Sequence, residues 1–333
     1  MASADGVEKL EDAIVRSAEQ VAGQIRTAKE AISTVIFGQD RVIENTLVTI
    51  LSGGHALLIG VPGLAKTKLV ETLGTTLGLD AKRIQFTPDL MPSDILGAEV
   101  LDESQSGKRS FRFLSGPVFA QLLMADEINR ASPRTQSALL QAMQEQHITV
   151  AGARHDLPKP FHVLATQNPL EQEGTYPLPE AQLDRFLMEI DVDYPDRDAE
   201  RRILFETTGA DETLAKAAMN AEILIAAQRL VRRLPVGDSV VEAILSLVRS
   251  ARPNSEDGGD KLIAWGPGPR ASQSLMLAVR ARALLDGRLA PSIDDVLDLA
   301  EPVLKHRMAL TFAARADGRT VSDVIRQLKG RIG

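Results

Sequence analysis

The sequence predicts an α/β fold, with a parallel sheet layered between helices and a smaller all-helical domain after it. Two observations predict the sheet. The apolar runs HALLIG (55–60), QLLMADEIN (121–129) and HVLATQNP (162–169) are short, as buried strands are, and the last two end in polar residues. Helical stripes separate such runs, as crossovers between parallel strands require. A third observation predicts the second domain: after Tyr194-Pro195-Asp196-Arg197, strand-like runs give way to amphipathic helices.

Taken in order, VEKLEDAIVRSAEQVAGQIRTAKEAIS (7–33) reads as one or two amphipathic helices, setting a lead-in of residues 1–34 before a core of 35–195. Ser52-Gly53-Gly54 is a turn signal before HALLIG. GVPGLAKT (60–67) follows, and Leu69, Val70, Leu73 and Leu77 then form one helical stripe ended by Gly78. RIQFT is the second sheet strand. Residues 95–116 form an insertion, in which ILGAEVLD and SFRFLSG are strand-like arms around ESQSGKR (103–109). HITVAGARHDL (147–157) is a second insertion, alternating around Ala151-Gly152-Ala153. In residues 196–333, helices are predicted over 220–234, 238–252, 292–308 and 320–331. Ser292 with Asp295, and Thr320 with Asp323, have capping-box spacing.

Composition narrows the possible functions. The chain has 333 residues, 44% hydrophobic and 25% charged, enough for about two domains with a real core. A net charge of −7 gives no overall basic field for nucleic acid or an anionic membrane. There are no cysteines, which excludes disulfides and thiolate metal sites. No apolar run nears the roughly 20 residues of a membrane span, and MASADGVEKLEDAIVRSAEQ is acidic where a signal peptide is apolar. A cytoplasmic protein is expected. His55, His147, His155, His162 and His306 form no tight ligand set and read as structural or solvated.

GVPGLAKT departs by one letter from the phosphate-loop pattern G-x-x-x-x-G-K-[ST], with Ala65 in place of the second glycine. Position 65 stands at the start of a helix, where a negative φ is expected and alanine fits. Backbone N–H groups of Gly60, Val61, Pro62, Gly63, Leu64 and Ala65 (proline excepted) and of the following helix start would cradle phosphate oxygens. Lys66 would reach the β- and γ-phosphates and Thr67 would hold Mg²⁺, with Lys68 beside them. A plain glycine-containing turn is the competing reading. Asp126 and Glu127 end one apolar run, and Asn168 ends another. They suit a Mg²⁺ ligand, a group that polarises attacking water, and a group that orients it. A strand end meeting solvent is the competing reading for the acidic pair.

In order, IFGQDRVIE, GVPGLAKTKL, QFTPDLMPSDILG, GPVFAQLLMADEINRA, ATQNP and PLPEAQLDRF resemble the AAA+ ATPases of the MoxR family, closely over about residues 35–195 and more loosely beyond. The resemblance implies an ATPase with ATP and Mg²⁺ as cofactors, an αβα nucleotide-binding core and a helical lid. Val35, Ile36, Gly38 and Gln39 match the segment lining the adenine pocket, Lys66 and Thr67 match Walker A, Asp126 and Glu127 match Walker B, and Asn168 matches the first sensor. Arg185 matches the arginine finger that reaches a neighbour's nucleotide. Arg270 matches the second sensor, although Pro267-Gly268 is a variable stretch. From the residues alone, Arg185 also suits a pairing with Asp184 or Glu180, and Arg270 a pairing with a carboxylate.

The resemblance also implies a ring, expected to be a hexamer, a partner with a von Willebrand factor A domain, and a chaperone-like role in assembling, activating or inserting cofactors into client complexes. In related rings the two insertions face the channel or a ring face. The alternatives are a motor subunit of a metal chelatase, a nucleic-acid-dependent ATPase, which the acidic balance disfavours, and a nucleotide-dependent binding switch.

Overall fold

A computed structural model describes residues 4–103, 109–171, 173–209, 213–253 and 261–332, with side chains from residue 19 onward. The lead-in is a single long helix, α1 (Ala4–Ser33), followed by α2 (Asp40–Leu51), β1 (Ala56–Ile59), α3 (Lys66–Leu77) and β2 (Ala81–Gln85). The first insertion comprises α4 (Pro92–Leu96), β3 (Gly97–Glu103) and β4 (Arg109–Ser115); residues 104–108 of its predicted turn lie outside the described residues. Next come β5 (Leu122–Asp126), α5 (Pro133–Glu145), the hairpin β6 (His147–Val150) and β7 (Ala153–Asp156), β8 (His162–Gln167), α6 (Glu180–Leu183) and β9 (Met188–Asp191).

Five strands pair in parallel in the order β2-β5-β8-β1-β9. Their period-2 alternation builds two cores, one on each face. Ala56, Leu58, Leu122, Met124 and Leu164 join the core shared with α1, α2, α3 and the C-terminal helices. Leu57, Leu123, Ala125, Val163 and Ala165 point the other way, onto Leu139, Leu140 and Met143 of α5. Burial on both faces explains why these strands read as unbroken apolar runs.

The C-terminal part contains α7 (Arg197–Thr208), α8 (Ala221–Val231), α9 (Asp238–Ser250), β10 (Ile263–Trp265), α10 (Pro269–Leu285), α11 (Ile293–Leu304), β11 (Ala309–Leu310), α12 (Phe312–Ala316) and α13 (Val321–Lys329). It is helical apart from one short antiparallel pair, β10 with β11. Both predicted capping boxes form, at Ser292/Asp295 and Thr320/Asp323. A charged node ties α1, α2 and α10 together: Glu44 accepts from Lys29 at 2.6 Å and from Arg282 at 3.0 Å.

The two insertions are antiparallel hairpins, and they touch. The Phe113 ring of β4 stacks on His155 of β7, with centroids 3.9 Å apart. Leu101 pairs with Phe111 across the first hairpin, and both side chains are exposed. No described helix is long and apolar enough to cross a membrane.

Candidate functional site

The cleft opens where the carboxyl ends of β1, β5 and β8 meet the start of α3, at the edge of a parallel sheet where ligands characteristically bind. A cavity of about 490 Å³ there is lined by residues 62–68, Arg83, Gln85, Asp126, Glu127, Thr166 and Asn168. Lys66 with Thr67, Asp126 with Glu127, and Asn168 are predicted from three separate stretches, and the fold brings them to one hollow.

The loop geometry is specific. A Cβ at Gly60 would stand 2.6 Å from the Val192 carbonyl, so only glycine allows this approach of loop and sheet edge. Gly63 sits at φ +87°, in the region that favours glycine. Among the described residues, no backbone carbonyl outside the helix accepts the N–H groups of residues 63–67. They form a nest of donors at a helix N-terminus, which fits phosphate oxygens. Lys66 Nζ lies within the loop, donating to the carbonyls of Gly60 and Val61 at 2.7 Å each. Burial pushes the Lys66 pKa down, while the carboxylates of Asp126 and Glu127 push it up.

Ala65 does not have the negative φ expected of it. Its φ is +55° and ψ is +21°, because the last loop residue must turn back before α3 begins. For alanine that conformation costs roughly 1–2 kcal/mol. Ala65→Gly should therefore leave thermal stability unchanged or raise it, the relief being partly offset by the greater freedom of an unfolded glycine chain. A loss of about 1 kcal/mol in denaturant unfolding, the cost of glycine in right-handed helix, would contradict the left-handed assignment.

The acidic pair is held by residues that the motif reading missed. Thr166 Oγ1 donates to Asp126 Oδ1 at 2.5 Å and accepts the Glu127 backbone N–H at 2.9 Å. Arg83 bonds Asp126 Oδ2 through Nη2 at 2.6 Å and through Nε at 3.2 Å. Gln85 Nε2 donates to Glu127 Oε2 at 2.6 Å, and Arg130 reaches the same oxygen at 2.9 Å. Glu127 itself sits at φ +55°, a strained position typical of functional sites. One signal was available: period 2 puts Arg83 and Gln85 on one face of β2. That β2 lies beside β5, with Gln85 in register with Asp126, is a property of the folded sheet. Asn168 is buried, and its Oδ1 accepts from the Leu170 N–H, which leaves its NH₂ group as a donor toward the cleft.

A second cavity, of about 500 Å³, adjoins the loop. It is lined by Thr34, Val35, Ile36, Phe37 and Gln39, by Gly63 to Ala65 and Lys68, and by Pro195, Ile203, Glu206 and Thr207. Of the four residues expected there, Gly38 does not line it. Gly38 packs where a Cβ would stand 2.5 Å from that of Ala199, so it shapes the wall from behind.

Arg185 and Arg270 line neither cavity. Arg270 meets a carboxylate instead, donating to Asp184 Oδ2 at 3.2 Å. Asp184 also receives Arg307, which is 1% exposed and bonds Asp184 Oδ1 at 2.7 Å and the Phe186 carbonyl at 2.6 Å. The pairings suggested for Arg185 with Asp184 or Glu180 do not form. Among the described residues, no group pairs with its guanidinium. Three histidines are structural: His55 and His162 are buried, burial holding their pKa values down to about 3 and about 4, and His306 is buried against the Phe186 carbonyl. Trp265 is partly exposed rather than packed in the core.

A Mg²⁺ ion fits the donors present. Thr67 and Asp126 supply one hydroxyl and one carboxylate to the cleft, and magnesium is usually held by one or two carboxylates completed by substrate phosphates. Among the described residues there is no cluster of three or more metal-ligating side chains, so no all-protein cage competes for this assignment.

Comparison with known proteins agrees with this geometry. Residues 55–188 match the family model for the ATPase family associated with various cellular activities (AAA), and residues 260–328 match the AAA lid domain. The chain is 42% identical to Chaperone MoxR1 of Mycobacterium tuberculosis, covering 90% of this chain and 80% of that protein. It is 33% identical to Protein MoxR of Paracoccus denitrificans, covering 86% and 89%. A crystal structure of a protein from Cytophaga hutchinsonii, an ATPase by assignment, superposes with a TM-score of 0.88 at 35% identity, covering 96% of this chain and 97% of that one. Motifs, sheet order and relatives converge: this chain belongs to the MoxR family of AAA+ ATPases.

Proposed function

We propose that the chain hydrolyses ATP to ADP and phosphate within a ring of copies, using the cycle for chaperone-like assembly, activation or cofactor insertion in client protein complexes. One observation carries the ATPase reading: Lys66, Thr67, Asp126, Glu127 and Asn168 line a single cleft. The base would occupy the adjoining cavity between residues 34–39 and α7, and the triphosphate would lie along the donors of residues 63–67. Lys66 would exchange the Gly60 and Val61 carbonyls for phosphate oxygens. Thr67 and Asp126 would hold Mg²⁺, which neutralises charge on the phosphates when bound. Glu127 would accept a proton from the attacking water or polarise it, and the Asn168 NH₂ would orient that water.

Arg185 and Arg270 line neither cavity of their own chain, Arg270 being paired with Asp184 and the Arg185 guanidinium being without a partner among the described residues. That placement supports Arg185 acting on a neighbouring copy's nucleotide, with Arg270 as the second sensor at the start of α10. The exposed apolar side chains Leu204 and Phe205 on α7, beside the base cavity, and Phe312 on α12 support a contact between copies. The ring is taken as a hexamer. A partner with a von Willebrand factor A domain and a client engaged through the joined hairpins complete the reading; its chaperone-like part is supported by the similarity to Chaperone MoxR1. The cytoplasm is the proposed compartment.

Lys66→Ala tests the core of this proposal. Losing a charge-assisted contact to phosphate should weaken ATP binding by about 100-fold or more. Equilibrium binding of a fluorescent ATP analogue checks it, and wild-type affinity in the variant would sink the assignment. The client is best sought by capturing proteins that bind the Glu127→Gln variant held with ATP.

A further inference from the structure

Arg83 belongs to no nucleotide motif, yet its guanidinium lies in the cleft and grips a proposed metal ligand. It stands on β2, two residues before Gln85 and on the same face. Its Nη2 contacts Asp126 Oδ2 at 2.6 Å and Gln85 Oε1 at 2.8 Å, and Gln85 holds Glu127 at 2.6 Å. Asp126 is nearly enclosed, its side chain 12% exposed, whereas the Arg83 side chain is 49% exposed and borders solvent. The other carboxylate oxygen, Oδ1, is taken by Thr166. Oδ2 is therefore the oxygen for which an incoming cation and Arg83 contend.

We infer that Arg83 is an internal competitor of the divalent cation at Asp126, setting how much metal the site needs. This rests on the metal–nucleotide reading of the cleft. A cation on Oδ2 displaces Arg83, since two positive charges close to one oxygen repel strongly in a partly enclosed site. The same displacement frees Gln85 Oε1, so metal arrival loosens the chain of contacts that ends on Glu127. Arg83 is in this sense a positioning residue whose departure accompanies loading of the site.

The test measures metal binding directly. Mn²⁺ is titrated into the ADP-saturated protein and free Mn²⁺ is followed by electron paramagnetic resonance, for wild type, Arg83→Met and Arg83→Lys. Arg83→Met should bind Mn²⁺ about tenfold more tightly, because a half-exposed competing charge has been removed. Arg83→Lys, which keeps the charge without the planar fork, should fall between the two. Metal-free ADP affinity, read from a fluorescent ADP analogue, should not weaken in Arg83→Met. Unchanged or weaker Mn²⁺ binding in Arg83→Met overturns the inference. A collapse of metal-free ADP binding also overturns it, by making Arg83 a phosphate ligand. A wild-type protein that binds no ADP, with or without Mn²⁺, overturns the nucleotide reading itself, so the two failures are distinguishable.

Discussion

Arg185→Ala subunits are expected to bind ATP with near wild-type affinity and to hydrolyse it about 10³-fold more slowly, the loss expected when an arginine that neutralises transition-state charge is removed. Phosphoryl transfer needs little covalent help, so a positive charge delivered at the right moment is a large part of catalysis. No described group pairs with the Arg185 guanidinium, so truncation leaves no orphaned carboxylate and should not unfold the chain. The decisive measurement mixes Arg185→Ala with Lys66→Ala subunits. A Lys66→Ala copy cannot hold nucleotide but still carries Arg185, so a mixed ring contains junctions in which an intact cleft faces an intact arginine. Hydrolysis above the sum of the two pure preparations is expected. Additive activity across all mixing ratios, with mixed assembly verified by mass, would confine each site to one chain.

The second large effect is expected of Glu127→Gln. The substitution keeps the shape of the side chain and an oxygen that accepts from Gln85 and Arg130, so the cleft should still bind ATP. It removes the basic carboxylate, and turnover should fall by about 10²-fold or more, the usual contribution of a positioned general base. Single-turnover hydrolysis of bound ATP, compared with binding of the same nucleotide, separates the two effects. Wild-type turnover would remove Glu127 from its role and move attention to Asn168.

Much of this molecule was legible in its sequence because parallel strands buried on both faces leave continuous apolar runs, and the polar residues at their ends mark the cleft. The capping boxes at Ser292 and Thr320 were legible because a cap is a local device with fixed spacing. Contacts made across the sheet were not. Arg83, Gln85 and Thr166 reach the acidic pair only through the strand order β2-β5-β8, which no local pattern encodes. The left-handed turn at Ala65 was hidden for a different reason: the residue type argues for helix, and the constraint comes from the loop closing on Lys66. Arg270 follows a stiff glycine–proline loop and starts a helix as expected, but packing of the C-terminal helices against the core sets it beside Asp184.

Arg307 draws together things far apart in the chain. Fastened to Asp184, Phe186 and Leu187 on one side and to Val303 and Ser274 on the other, it rivets the backbone bearing Arg185 to the helical layer of α10 and α11. Any tilt of that layer therefore drags the arginine's anchor with it. In the proposed ring, aim and tilt would become one degree of freedom, and a pull exerted far out on the C-terminal helices would arrive as a change of reach at the neighbouring copy's nucleotide.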